Sequence, residues 1–164
     1  MIPGVWADLG SGDGAFTLAL ADLLGATGRI HSIDRDGHAL RDQRRAIASR
    51  FPGAVVVYVA ADYTGPLELP ALDGIVMANS LHFEHDKEPL VRRLLTHLKP
   101  EGRFVLVEYD ADRGNAWVPY PLSFAAWTAL APRVGLADTR LLGRVPSRFL
   151  GSIYSAVSVT GRPG

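Results

Sequence analysis

Three glycines at alternate positions, Gly10, Gly12 and Gly14, stand between a short apolar run and an amphipathic helix pattern. Val5-Trp6-Ala7-Asp8-Leu9 has the length and composition of a strand. Phe16, Leu20, Leu23 and Leu24 then recur at helical spacing until Gly25 and Gly28 end the pattern. A strand that turns through Gly10-Ser11-Gly12-Asp13-Gly14 into a helix N-terminus presents main chain as a cradle, because glycine accepts positive φ and lets a ligand approach the backbone closely.

The rest of the chain repeats the alternation of short β-like runs with longer helical ones, which implies βαβ units and a parallel sheet. Residues 29–33 read as a second strand ending at Asp34, and residues 39–51 as a helix with Leu40, Ile47 and Phe51 inward, closed by Pro52-Gly53. Val55-Val56-Val57-Tyr58-Val59 is too apolar to have a wet face and is expected to be an interior strand. A fourth strand is expected over 73–78. A helix over 89–98 carries Leu90, Val91, Leu94, Leu95 and Leu98 on one stripe, before Lys99-Pro100-Glu101-Gly102 breaks it.

Residues 103–109 form the expected fifth strand, and 110–121, with Gly114, Pro119 and Pro121, an exposed loop. Phe124, Trp127, Leu130 and Val134 mark a last helix ending at Gly135. Two further strands, 139–142 and 153–159, are joined by the irregular stretch 143–151 with no helix between them, so they are expected to pair antiparallel.

Composition narrows the function. The 164 residues carry seventeen basic and seventeen acidic side chains, so the charge predicts neither a nucleic-acid nor an anionic-membrane partner. Arg41, Arg44, Arg45 and Arg50 fall at helical spacing and read as a solvated face. With no cysteine there is no disulfide and no thiolate ligand or nucleophile, which fits a cytoplasmic protein. No apolar run approaches the roughly 18 residues of a membrane span. His82, His85 and Asp86 lack a matching ligand set, so no metal is expected.

The glycines alone leave two ligands open. Gly10-Ser11-Gly12-Asp13-Gly14-Ala15 also satisfies the dinucleotide pattern, with Asp34 near the place of its ribose-binding acid, and keeps an NAD-dependent oxidoreductase as an alternative. A dinucleotide would bring its anionic pyrophosphate beside Asp8 and Asp13, an unfavourable encounter in a partly desolvated cleft. S-adenosyl-L-methionine brings an ammonium and a sulfonium, which a carboxylate favours, and its ribose hydroxyls still need an acceptor such as Asp34.

At these residues the chain resembles the class I S-adenosylmethionine-dependent methyltransferases. The likeness starts at Trp6-Ala7-Asp8-Leu9-Gly10-Ser11-Gly12-Asp13-Gly14 and continues through Ala61-Asp62-Tyr63, Ala78-Asn79-Ser80-Leu81-His82-Phe83 and Leu98-Lys99-Pro100-Glu101-Gly102-Arg103. The resemblance implies a Rossmann-like α/β fold: a seven-stranded, mostly parallel sheet, helices on both faces, and a C-terminal antiparallel strand pair. It implies that Asp8, Gly10, Ser11, Gly12 and Gly14 hold the methionine end of the cofactor, that Asp34 with Arg35 takes the ribose, that Ala61, Asp62 and Tyr63 meet the adenine, and that Asn79 acts through its backbone.

The family usually places a helical cover before the first strand. Here Met1 to Gly4 alone precede it, so residues 1–164 are expected to be a single methyltransferase domain lacking most of that cover, either as a truncated product or start-site error or because a second copy or a partner chain supplies it. A non-catalytic partner subunit is the remaining alternative.

Methyl transfer is an in-line displacement from an activated donor, so positioning supplies much of the rate, and a base is needed only where the acceptor must lose a proton. His82, Tyr109 and Asp110 lie at carboxyl ends of strands, where open α/β sheets bind ligands, and are the candidates on the acceptor side. Phe83, Trp117 and Tyr120 are the expected walls of the acceptor pocket, which points to a small, partly apolar or aromatic acceptor methylated on O or N, with C less favoured.

Overall fold

A computed structural model describes residues 4–161, which fall into two compact units, Met1–Val76 and Met77–Gly164. In the first, β1 (Val5–Leu9), β2 (Arg29–Asp34), β3 (Val55–Ala60) and β4 (Leu72–Ala78) take the order β3-β2-β1-β4, and β4 runs on into the second unit. Their pairings are parallel, with Trp6 opposite Ile30 and Gly74, and Ile30 opposite Val56. The crossovers are α1 (Ala15–Leu24) and α2 (Gly37–Arg50).

Apolar periodicity explains which faces are buried. Ala7, Leu9, Ile33 and Ile75 are fully buried, and Leu20, Ala21 and Leu24 of α1 with Leu40 and Ile47 of α2 close the core. Leu23, part of the helical apolar pattern, is 62% exposed. At about 100° per residue it points well away from the face that Thr17, Leu20, Ala21 and Leu24 share. Helix α2 starts earlier than its apolar pattern because the Asp36 carboxylate accepts the His38 and Ala39 N–H groups as an N-cap. The arginines at 41, 44, 45 and 50 are exposed, as a solvated face requires.

The valine-rich run is not an interior strand. β3 is at the end of the strand order, and Val55 and Val57 are 42% and 37% exposed. Its β-branched residues give it strand propensity without a second neighbour to bury it, and the Arg44 guanidinium lies 4.9 Å over the Tyr58 ring on one side.

The second unit contains α3 (Lys87–Leu95), β5 (Leu98–Tyr109), α4 (Phe124–Arg133), β6 (Leu136–Pro146) and β7 (Ser152–Thr160). Its strands take the order β5-β7-β6, and both pairings are antiparallel. Helix α3 stops at Leu95, short of the expected 98, because Leu98 already belongs to β5 and Glu101 adopts a φ of 61° in the turn-forming Lys99-Pro100-Glu101-Gly102 segment. β6 likewise runs on to Pro146 through residues expected to be irregular. Phe104 stacks on Trp127, centroids 5.5 Å apart, and both are fully buried.

Seven strands and their helices thus form a Rossmann-like α/β fold that ends in an antiparallel strand pair. Among the described residues no helix is long and apolar enough to cross a membrane.

Candidate cofactor loop and acceptor-side residues

The glycine loop closes on itself. Gly10 and Ser11 donate their N–H groups to the Ile33 carbonyl (2.9 and 3.0 Å), Gly14 donates to Ser11 O (2.9 Å), and Gly12 donates to Asp34 Oδ2 (2.8 Å). Gly12 and Gly14 have φ of 54° and 87°. A Cβ on Gly14 would lie 2.4 Å from Gln43 Cγ, whereas one on Gly12 would enter open space. Gly14 is therefore required by packing, whereas at Gly12 the positive φ alone favours glycine.

Beneath the loop is a buried polar network. Thr17 Oγ1 donates to Asp8 Oδ2 (2.7 Å), and Ser32 Oγ lies 2.8 Å from both Gln43 Oε1 and Ser11 Oγ. The Gln43 amide donates to Ser11 Oγ (2.9 Å) and to the Gly12 carbonyl (2.6 Å). Asp8 is 1% exposed. Burial pushes its carboxyl up to about 6 against the Thr17 hydrogen bonds, and the charges of Asp34 and Asp13 push the same way. Gln43, absent from the sequence reading, holds the loop; its signal is a polar residue between Leu40 and Ile47 on the apolar stripe of α2.

Asp34 sits at the end of β2 with Oδ2 accepting from Gly12 and Oδ1 accepting from the Asp36 N–H (2.8 Å). A carboxylate oxygen has a second acceptor site, so this geometry leaves capacity for two hydroxyls. The Ala61 N–H is bonded to the Asp34 carbonyl (3.0 Å). Asp62 Oδ1 accepts from both the backbone N–H and hydroxyl of Thr64 (2.9 and 2.7 Å), which makes an Asx-type turn. Arg35 is exposed and Tyr63 half-buried.

These residues fit a cationic ligand without phosphate. The N–H groups of Gly10, Ser11, Gly12 and Gly14 are spent on internal acceptors, so they are not offered to a pyrophosphate. The acids Asp8, Asp13 and Asp34 concentrate negative charge there, and each Asp34 oxygen, with one N–H donor, has a further acceptor position.

In the second unit, Asn79 is exposed at the end of β4 with φ of 52°, and its N–H donates to the Val107 carbonyl (2.8 Å). Asparagine tolerates this left-handed conformation better than most residues. The short 3₁₀ turn Leu81–Phe83 follows and carries His82, 3% exposed. Its Nδ1 lies 3.0 and 3.1 Å from the two carboxylate oxygens of Glu108, and its backbone N–H also donates to Glu108 Oε1 (3.0 Å). Glu108 is fully buried and accepts the Tyr109 N–H as well (3.0 Å). The sequence reading missed Glu108, although an acid inside the apolar run Phe104-Val105-Leu106-Val107-Glu108-Tyr109 was a visible anomaly.

Tyr109 is buried with its ring edge-on to His82 at 5.4 Å. Asp110 is engaged elsewhere: Oδ1 accepts from the Phe124 N–H (2.9 Å) and Oδ2 from Arg144 Nε (2.7 Å). Phe83 packs on His82 at 4.3 Å, and the Tyr120 N–H donates to the His82 carbonyl (3.0 Å). Phe83, Trp117 and Tyr120 are 61%, 73% and 43% exposed, so they present aromatic surface and do not fill the core. Among the described residues no group of three or more His, Asp or Glu side chains could hold a metal ion.

Comparison with known proteins agrees with this geometry. A family model described as a methyltransferase domain matches residues 7–104. A search of curated proteins finds no significant match. Among solved structures, the Burkholderia thailandensis 1,6-didemethyltoxoflavin-N1-methyltransferase, with bound 1,6-didemethyltoxoflavin and S-adenosylhomocysteine, is similar over 97% of this chain and 72% of its own (TM-score 0.76, 19% identity). The YcgJ protein from Bacillus subtilis is similar over 99% and 93% (TM-score 0.75, 13% identity). The DszA carbon methyltransferase is similar over 99% of this chain and 48% of its own (TM-score 0.75, 17% identity). At these identities the structures establish the fold, and the family match establishes the kinship, which sets aside the NAD-dependent alternative. The chain belongs to the methyltransferase-domain family and is a class I S-adenosylmethionine-dependent methyltransferase.

Proposed function

We propose that the enzyme methylates an oxygen or nitrogen of a small acceptor, with His82 taking the acceptor's proton and Glu108 holding the imidazole. The observation that carries this is the buried contact of His82 Nδ1 with both Glu108 oxygens at 3.0 and 3.1 Å. A carboxylate on Nδ1 directs that nitrogen's proton to itself and leaves Nε2 as the basic position, fixed in direction by two ring contacts, Phe83 and Tyr109.

S-adenosylmethionine supplies a methyl group on a sulfonium that departs as a neutral thioether. The protein's share is to bind, orient and take up one proton. For the cofactor we assign Asp34 to the ribose hydroxyls with Arg35 beside it, Asp62 with Ala61 and Tyr63 to the adenine, and Gly10, Ser11, Gly12 and Gly14 over Asp8 to the methionine end. Asn79 acts through its main chain. Residues 1–164 are read as one methyltransferase domain, a reading supported by a family match that runs from residue 7 to 104 through parts of both units.

A small acceptor is supported by the exposed rings of Phe83, Trp117 and Tyr120 and by the similar structure named for N1-methylation of 1,6-didemethyltoxoflavin. Similar structures named as carbon methyltransferases favour a second reading, in which the same imidazole removes a proton from an activated carbon. The test is a screen of small phenols, amines and carbon acids for S-adenosylhomocysteine release, with mass and NMR analysis of the product. His82→Gln should lower kcat by roughly 10²–10⁴-fold and leave S-adenosylhomocysteine affinity unchanged. An undiminished kcat would remove His82 as the base.

A further inference from the structure

Trp117 and Phe149 are 73% and 57% exposed, yet neither hangs from a loose segment. The Asn115 carboxamide accepts the Trp117 and Val118 N–H groups on its oxygen (2.9 Å each) and donates through Nδ2 to the Phe149 carbonyl (2.9 Å). Val118 beside Trp117 is an anchor, 1% exposed. Asp110 N–H to Ser152 O (2.8 Å) and Arg144 Nε to Asp110 Oδ2 (2.7 Å) fasten the start of the segment 110–121 to β7 and β6, the strands that flank the connection carrying Phe149. Tyr120 N–H to the His82 carbonyl ties it to the proposed base. Two large rings are thus held out toward solvent by ordered backbone, where their apolar area is stabilised only if something covers it.

The charges on these two segments are unevenly spent. Arg144 is paired with Asp110. Arg113, Arg140 and Arg148 are exposed and take no hydrogen bond or ion pair among the described residues, while Asp112 is the remaining acid on 110–121 and none lies on 139–151. Three unpaired guanidinium groups against one carboxylate leave the segments net positive, and of the three Arg113 and Arg148 lie closest in sequence to Trp117 and Phe149. Guanidinium is planar, takes carboxylates through two parallel N–H bonds and stacks on aromatic faces.

We propose that the acceptor is an aromatic acid, its ring lying against Trp117 and Phe149 and its carboxylate held by Arg113 and Arg148, which turns the nucleophilic group toward His82. This rests on the small-acceptor reading above and adds the charge and shape of that acceptor. The methyl group leaves sulfur and bonds to the ring's hydroxyl or amino substituent, whose proton passes to His82 Nε2, and the carboxylate itself is unchanged.

The experiment is calorimetric titration of the full chain, saturated with S-adenosylhomocysteine, with 3,4-dihydroxybenzoate, 4-hydroxybenzoate and anthranilate, each beside its methyl ester. At least one acid is expected to bind about tenfold or more tightly than its ester. The Arg113→Gln/Arg148→Gln variant should erase that preference while S-adenosylhomocysteine still binds as it does to the wild type. Trp117→Ala should weaken acid and ester alike. Esters binding as well as acids, an acid preference that survives the double arginine variant, or no acid binding to a chain that holds S-adenosylhomocysteine would each overturn the proposal and leave the methyltransferase assignment standing. A well-folded wild type that failed to bind S-adenosylhomocysteine would overturn both.

Discussion

His82 and Glu108 form a closed pair in which the carboxylate receives both the ring Nδ1 and the backbone N–H of the same histidine, each at 3.0 Å. The double contact fixes the 3₁₀ turn as well as the ring, because a rotation that broke one bond would strain the other. Glu108 is fully buried, and the Tyr109 N–H occupies its second oxygen, so the pair is supported from the strand that carries it.

Glu108→Gln tests this directly. The amide keeps the size of the side chain, but its NH₂ would face N–H donors, leaving one buried donor without an acceptor at a cost of about 1–3 kcal/mol. The expected result is a drop in kcat of roughly 10–100-fold, the range typical of groups that orient a functional histidine, with S-adenosylhomocysteine affinity unchanged in titration. Equal losses in kcat and cofactor affinity would mean that Glu108 only holds the fold.

Asp8 predicts an inverted pH dependence. Its carboxyl is raised by burial from 3.8 to about 6, so the folded chain binds this proton more tightly than the unfolded one. Stability from this group is full below the unfolded value of 3.8 and is lost as pH rises through about 6. The displacement amounts to about 3 kcal/mol, an order-of-magnitude figure. Asp8→Asn should flatten the decline between pH 4 and 7 in urea unfolding of the cofactor-free protein and, on the proposed assignment of Asp8 to the methionine end, should weaken S-adenosylmethionine binding. A wild type minus variant difference that is independent of pH would refute the assignment.

The two loop glycines separate folding from binding. Gly14→Ala meets both a φ of 87° and Gln43 Cγ at 2.4 Å, so it should destabilise the chain by more than the roughly 1–2 kcal/mol of left-handed strain alone. Gly12→Ala carries the strain without a clash and places its methyl in open space, which on the proposed cofactor assignment is where the methionine end would lie. Denaturation should therefore rank Gly14→Ala as the more damaging, while Gly12→Ala loses S-adenosylhomocysteine binding out of proportion to its stability. The opposite ranking would place the ligand elsewhere.

Much of this was legible from local pattern. The strand–glycine–helix unit, Asp34 at the end of β2 and the antiparallel tail follow from residues near one another in sequence. Gln43 and Glu108 were not, because each acts on residues far along the chain: Gln43 reaches Ser11 across 32 positions and Glu108 reaches His82 across 26. A periodicity analysis treats both as polar interruptions of an apolar face and does not say what they touch. The valine run of β3 misled for a related reason. Its composition reports strand propensity and apolarity, whereas edge or centre is decided by how many strands lie beyond it. Asp110 shows the same limit at the site: its position at a strand end is visible in sequence, but its two partners, Phe124 N–H and Arg144, are supplied by later segments.

Asp110 and His82 can be told apart by one pair of variants. Burial pushes the Asp110 carboxyl up, but the Phe124 N–H and the Arg144 guanidinium outweigh it and hold the group below the usual carboxylate range, the wrong direction for a base that must gain a proton near neutrality. Its bond to the Phe124 N–H joins the Ser123 hydroxyl, which accepts the Ala126 N–H, in satisfying the first turn of α4. Asp110→Asn should accordingly cost stability, about 1 kcal/mol as for a lost helix-end acceptor, and move the unfolding midpoint more than kcat. His82→Gln should do the reverse, lowering kcat with a smaller effect on the midpoint. If Asp110→Asn abolished turnover in a chain of wild-type stability, the proton acceptor would be Asp110, and the buried His82–Glu108 pair would be a structural clamp between the 81–83 turn and β5.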